Sequence, residues 1–157
     1  MKKTANKIVT QEELKRQVKG WQKDGLRVVF SNGCFDILHL GHIDYLEKAR
    51  EKGDKLVIGL NTDTSVKVLK GANRPINNEE ARARMLAALS FVDAVTFFGD
   101  ETPLELISKI IPDVLVKGSD YLAENIVGAK VVLEHGGSVE TIDLVDGFST
   151  TNIIDKI

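Results

Sequence analysis

Residues 27–50 read RVVFSNGCFDILHLGHIDYLEKAR, and two periodicities meet in them. The run RVVFS (27–31) is β-branched, aromatic and apolar almost throughout, the pattern of a parallel strand covered on both faces. Residues Ile43–Arg50 put Ile43, Leu46 and Ala49 on one side of a helix and Asp44, Glu47 and Lys48 elsewhere, as in a helix resting on a sheet. Between strand and helix stand Gly33, directly after the strand, and Gly41, flanked by His39 and His42.

The same alternation continues along the chain. KLVIGL (55–60), DAVTFF (93–98), DVLVK (113–117) and SVETIDL (138–144) read as further strands. Helix starts are marked between them. Thr10 with Glu13 forms a capping box, Thr102-Pro103-Leu104-Glu105 repeats it with Pro at the first helical position, and Asn77 with Glu80 is a third, weaker case. Ser149, Thr150 and Thr151 precede Ile153 and Ile154 and are expected to open a final helix. Strands alternating with helices predict an α/β fold: a doubly wound, Rossmann-like parallel sheet of about five strands with helices on both faces. One domain of residues 1–157 is expected, with an N-terminal helix in 1–25 and an α/β core over 26–157.

Composition excludes several classes. A chain of 157 residues with 43% hydrophobic and 28% charged residues has the make-up of a folded globular domain. Lys+Arg at 21 against Asp+Glu at 23 leaves a net charge of −2, so there is no bulk basic field for nucleic acid, and an anionic partner needs a local site. The single cysteine, Cys34, excludes an internal disulfide framework and a cysteine zinc cluster. Residues 1–15 run from a basic start into polar residues without an apolar signal core, and the apolar stretch Met85–Phe98 is broken by Ser90 and Asp93. No membrane partner and a cytoplasmic location are therefore expected.

In a doubly wound sheet, ligands bind beyond the carboxyl ends of the strands. After the first strand, backbone amides near a helix start would make an anion site. His39 and His42, three apart, project from one face of a helical turn, and Gly41 would let a ligand approach the backbone between them. Imidazole N–H groups aimed at phosphate fit this spacing without a metal. A zinc site would need further ligands, for which Asp36 and His135 are the notable candidates, and their spacing resembles no metal motif. The chain has no P-loop, no G-x-G-x-x-G and no G-x-S-x-G elbow. After the second strand, Lys70 and Arg74 are cations suited to phosphoryl transfer, Lys67 reads as a surface lysine, and Arg82 is either a phosphate fork or an exposed helical arginine. The hydroxyls of Ser149–Thr151 at a helix start suit phosphate and capping alike.

NGCFDILHLGH, with its His39-Leu40-Gly41-His42, resembles the signature of the nucleotidyltransferase superfamily that includes the cytidylyltransferases, and the late SerThrThr segment resembles its second signature. LNTDTSVKVLKGANRPI, DETPLELI, PDVLVKGSDY and GFSTTNIIDKI narrow the resemblance to the D-glycero-β-D-manno-heptose 1-phosphate adenylyltransferases, over essentially the whole chain. In many bacteria that activity is the second domain of a protein that begins with a sugar kinase; at this length a stand-alone version is expected.

The resemblance implies that His39 and His42 hold the triphosphate and stabilise the transition state. It implies that Gly33, Cys34, Phe35, Gly41 and Gly118 line the nucleotide pocket and that Ser149, Thr150 and Thr151 bind the β and γ phosphates. Lys70 and Arg82 would face the reacting phosphates, Lys70 as a catalytic cation. Asp36, Asn61, Arg74, Lys117 and Asp120 would lie near the sugar phosphate or ribose. ATP and a sugar 1-phosphate are the implied substrates, Mg²⁺ arriving with ATP is the implied cofactor, and a homodimer is the implied assembly. Glycerol-phosphate cytidylyltransferases carry an arginine shortly before the SerThrThr segment, where this chain has Leu144-Val145-Asp146-Gly147, which favours the heptose branch. The alternatives are a cytidylyltransferase using CTP and an alcohol phosphate such as glycerol 3-phosphate, and a non-catalytic nucleotide-binding module.

Overall fold

A computed structural model describes residues 1–157. Strands β1 (Val28–Gly33), β2 (Lys55–Asn61), β3 (Ala94–Phe98), β4 (Val114–Gly118) and β5 (Ser138–Ile142) form one parallel sheet in the order β3-β2-β1-β4-β5. Helices α1 (Thr4–Lys7), α2 (Gln11–Lys23), α3 (Leu40–Arg50), α4 (Asp63–Lys70), α5 (Glu79–Ala87), α6 (Leu104–Ile110), α7 (Ala129–Glu134) and α8 (Thr150–Asp155) complete it. The chain builds from central β1 outward to β3, then returns to the other side of β1 for β4. That reversal puts a switch point between the carboxyl ends of β1 and β4.

Strand side chains alternate between two cores, as the two-residue period of a strand requires. Val29, Leu56, Ile58, Leu60, Val114 and Val116 face one side, where Leu46 and Ala49 of α3 and Leu86 of α5 cover them. Val28, Phe30, Val57, Ala94 and Leu115 face the other, under Leu14 and Val18 of α2, Leu106 and Ile107 of α6 and Val132 of α7. The fully buried Phe30 fits because β2 carries Gly59 beside its ring: a Cβ there would lie 2.9 Å from the Phe30 ring. The sheet is thus doubly wound, as its apolar strands predicted.

Local signals were followed in part. The capping box of α2 is complete, with the Glu13 amide donating to Thr10 Oγ1 and the Thr10 amide to Glu13 Oε2, both at 3.1 Å. At α6 the expected box is absent: Pro103 is itself the cap residue, and Thr102 Oγ1 reaches only the Leu104 amide at 3.4 Å. At α5 the cap is Asn78, not Asn77, because Asn77 is drawn to Asp36. Strand β5 ends at Ile142, where its partner β4 ends at Gly118, so residues 143–144 leave the sheet. The N-terminal region is two helices instead of one. Between them Ile8 bridges Val95, and Val9 pairs with Val95 and Thr96, which covers part of the β3 edge. No helix is long and apolar enough to cross a membrane.

Candidate active site

The loop leaving β1 sets the site. Phe35 adopts a left-handed backbone (φ 45°), a conformation uncommon outside glycine. Its ring folds over Gly33, where a Cβ would lie 3.0 Å from it. From Cys34 to Gly41 no backbone amide finds an acceptor within the chain; the first one bonded is that of His42, which donates to His39 Nδ1 at 3.4 Å. A row of unpaired amides running into the start of α3 suits an anion.

His39 caps α3, and its ring stacks on that of His42 at 3.8 Å between centroids, while Phe35 meets His42 edge-on at 5.2 Å. Because His39 Nδ1 accepts a hydrogen bond, the neutral ring carries its proton on Nε2 and can donate it. Burial lowers the pKa of both histidines. That of His42 falls to about 4, through burial first and the neighbouring His39 second, against a smaller opposing pull from the Ile37 carbonyl. His42 Nδ1 is buried without a partner. Gly41 is required by the protein itself as much as by any ligand: a Cβ there would lie 2.9 Å from the His39 ring and 3.2 Å from Phe148 Cβ.

Two predicted ligand-binding side chains hold the site together instead. Asp36 is almost fully buried, and its carboxylate accepts from Arg74 Nε at 2.8 Å and from the amides of Ile76 and Asn77. Burial alone would raise its pKa, but the Asn77 and Ile76 amides and Arg74 outweigh that and hold it below the ordinary carboxylate value. Arg82 is neither a fork in the cavity nor an exposed arginine. It is fully buried, donating from Nε to the Asn77 carbonyl, from Nη1 to the Cys34 and Asn61 carbonyls, and from Nη2 to Asp63 Oδ1 at 2.7 Å. Its donors are engaged by the protein, so the expectation that it faces the reacting phosphates is corrected. Arg74 gives only Nε to Asp36 and keeps its terminal nitrogens unpaired, and Lys70 forms no ion pair.

On the other side of the switch point, Lys117 donates from Nζ to the Asn32 carbonyl at 3.3 Å and lies 5.6 Å above the Tyr121 ring. Burial, opposed by Asp120 and Cys34, lowers its pKa. Burial also raises that of the Cys34 thiol against the pull of Lys70, Arg82 and Arg74, so the thiol is protonated at neutral pH. Ser149 caps α8 through the Asn152 amide at 3.0 Å. Thr150 Oγ1 donates to the Ile37 carbonyl at 3.3 Å, and Phe148 stacks on His39 at 6.4 Å. The SerThrThr segment is therefore in contact with the histidine loop.

Most of these groups line one cavity of about 650 Å³. His39, His42, Lys70, Gly33, Cys34, Phe35, Gly41, Gly118, Asp36, Asn61, Arg74, Lys117, Asp120 and Ser149–Thr151 are on its wall, and Arg82 is behind it. Sequence reasoning gave no role to a number of other residues on the wall, and three of these bear on the site. Tyr45 joins Ser31 Oγ at 2.7 Å to the Val116 carbonyl at 3.0 Å, bridging β1 and β4, and burial pushes its pKa up to about 12. Asn32 and Phe148 are the others; both stand inside quoted stretches, NGCFDILHLGH and GFSTTNIIDKI, in which they were given no role.

A family model described as cytidylyltransferase-like matches residues 30–156. The bifunctional protein HldE of Methylobacillus flagellatus is 53% identical over 153 residues, 98% of this chain and 31% of that one. HldE of Geotalea uraniireducens is 55% identical over 151 residues, 96% and 31%. The chain thus spans about a third of the length of the curated relatives it matches. Among solved structures, the lipopolysaccharide core biosynthesis protein from Thermoplasma volcanium GSS1 superposes with a TM-score of 0.61 at 28% identity, over 77% of this chain and 98% of that one. With its histidine pair, its late SerThrThr segment and a family model matching most of its length, this chain belongs to the cytidylyltransferase-like family.

Proposed function

We propose that the chain transfers the adenylyl group of ATP to a sugar 1-phosphate, D-glycero-D-manno-heptose 1-phosphate, giving ADP-heptose and pyrophosphate for surface-glycan synthesis. One observation carries the reading: the histidine loop and the SerThrThr segment, far apart in sequence, share one cavity wall and touch through Thr150 Oγ1 and the Ile37 carbonyl. The resemblance to the heptose 1-phosphate adenylyltransferases and the identity to the bifunctional HldE proteins support the substrate.

In this reaction an oxygen of the sugar phosphate attacks the α-phosphorus of ATP, a new P–O bond forms, and the bond to the β-phosphate bridging oxygen breaks. A phosphate monoester has a second pKa of about 6, so the nucleophile is largely dianionic at neutral pH and needs no general base. The protein's part is to align the partners and stabilise charge moving onto pyrophosphate. The unpaired amides of 34–41, the His39 Nε2–H, the hydroxyls of Ser149–Thr151, Lys70 and the free end of Arg74 are the donors available for it. Mg²⁺ would arrive with ATP and supply charge neutralisation on its phosphates. Asp36, the carboxylate beside the histidine loop, is engaged by Arg74 and two amides, and no cluster of carboxylates or histidines forms a metal cage, so the ion would be held chiefly by the phosphates and water. The resemblance to the heptose 1-phosphate adenylyltransferases supports a homodimer as the functional unit.

The test is pyrophosphate release with ATP or CTP against heptose 1-phosphate in both anomers and glycerol 3-phosphate. Release with ATP and a heptose 1-phosphate is expected. Release only with CTP and glycerol 3-phosphate would make the chain a cytidylyltransferase, and nucleotide binding without release would make it a sensing module.

A further inference from the structure

We propose that Asn32 is a specificity-determining residue whose side-chain amide binds a sugar hydroxyl, of the acceptor sugar or of the nucleotide ribose. The inference rests on the reading above that a nucleotide and a sugar phosphate meet in this cavity.

The polar side chains buried around the switch point are almost all engaged with the protein. Asp36 holds Arg74 and two amides, and Arg82 holds three carbonyls and Asp63. Asn61 Nδ2 donates to Ser65 Oγ at 3.2 Å, and Tyr45 joins Ser31 to Val116. Asn32 differs. It lies near the end of the central strand, with its backbone in register with Gly59 of β2 and its carbonyl taking a hydrogen bond from Lys117 Nζ. The backbone is thus held from both sides, while the side chain makes no hydrogen bond: Oδ1 is buried without a partner, on a residue that lines the cavity. Buried polar atoms are nearly always paired. The other such atoms are on Gln17 in α2, on Ser138 at the opposite end of the sheet, and on His42, which belongs to the histidine pair.

An unpaired amide at the floor of a phosphate site defines its ligand by chemistry. The phosphates have cations and amides available nearby, and a neutral group gains little from them. An asparagine side chain offers one acceptor and two donors, and its terminal torsion is broad and two-fold, so either end can turn to the cavity. A hydroxyl donates and accepts at once and is its natural complement. Lys117, 3.3 Å from the Asn32 carbonyl, limits how far the side chain's surroundings can shift.

Binding by calorimetry and turnover by pyrophosphate release are measured for the wild type, N32A and N32D. One arm uses ATP, 2′-deoxy-ATP and 3′-deoxy-ATP; the other uses heptose 1-phosphate and analogues lacking one hydroxyl each. One analogue is expected to bind the wild type about 10–100-fold more weakly than its parent. N32A is expected to bind that parent and analogue equally, and the arm in which this occurs identifies the source of the hydroxyl. Thermal melting checks folding. If N32A does not fold, N32D, which keeps size and acceptor but loses the donors, is expected to change discrimination at that same hydroxyl and no other. Equal losses in wild type and variant for every analogue, or a wild type indifferent to all of them, overturn the proposal. Hydroxyl discrimination in binding without any pyrophosphate release would instead overturn adenylyl transfer and leave the role of Asn32 standing.

Discussion

The stacked imidazoles of His39 and His42 are stable together because at neutral pH neither carries a full charge. Two imidazolium rings at 3.8 Å would repel, and burial already favours the neutral forms. A triphosphate bound there would supply the negative charge that reverses this preference, so the donors would be strongest only with the ligand in place. His39→Ala and His42→Ala are each expected to lower turnover about 10²–10³-fold, as for other lost transition-state donors, with the fold intact. Wild-type turnover in a folded double variant would remove both rings from the mechanism. The same burial sets a pH dependence. An unfolded histidine titrates near 6.5 and folded His42 near 4, so between these values the unfolded chain binds more protons. Stability is full above about pH 6.5 and falls as pH is lowered toward 4. Urea midpoints from pH 7 to 4 should drop less in His42→Asn than in the wild type; parallel curves would contradict the assignment.

Between residues and the whole sheet, Arg82 acts as a tie among elements. From α5 it holds the carbonyl after β1, the carbonyl ending β2, the segment before α5 itself and the first residue of α4. Arg82→Ala would leave these acceptors and Asp63 without their cation, and a loss of about 3–5 kcal/mol in unfolding free energy is expected. Arg82→Lys should be destabilised too, because one ammonium cannot span a planar fork. A variant of wild-type stability that had lost only turnover would return Arg82 to the substrate. Thr10→Ala is the contrasting case, far from the cavity: loss of the capping box should cost about 1 kcal/mol, read by denaturant midpoint, with KM values unchanged. Local signals such as that cap were legible because both partners lie within one turn. Asp36 and Arg82 were not, since their roles depend on where the 74–77 segment returns, forty residues along the chain. The shift of the α5 cap from Asn77 to Asn78 has the same origin.

At the scale of the molecule, strand order does most of the work. Apolar runs alternating with helices were enough to foresee a parallel sheet wound on both faces, and hence a site at the carboxyl strand ends. They did not specify which two strands flank the reversal. The order β3-β2-β1-β4-β5 fixes that, bringing Asn32 and Lys117 side by side and closing Phe148 and Thr150 against the histidine loop. Tyr45 escaped notice because its value depends on that neighbour relation: its hydroxyl meets Ser31 on β1 and Val116 on β4. The net charge of −2 is consistent with a cationic ligand site concentrated at one end of the sheet. The most direct measurement is a crystal structure with a non-hydrolysable ATP analogue. The β and γ phosphates should lie within hydrogen-bond distance of both the 34–42 loop and Ser149–Thr151. A nucleotide bound elsewhere, or touching one of these segments while the other faces solvent, would contradict the account.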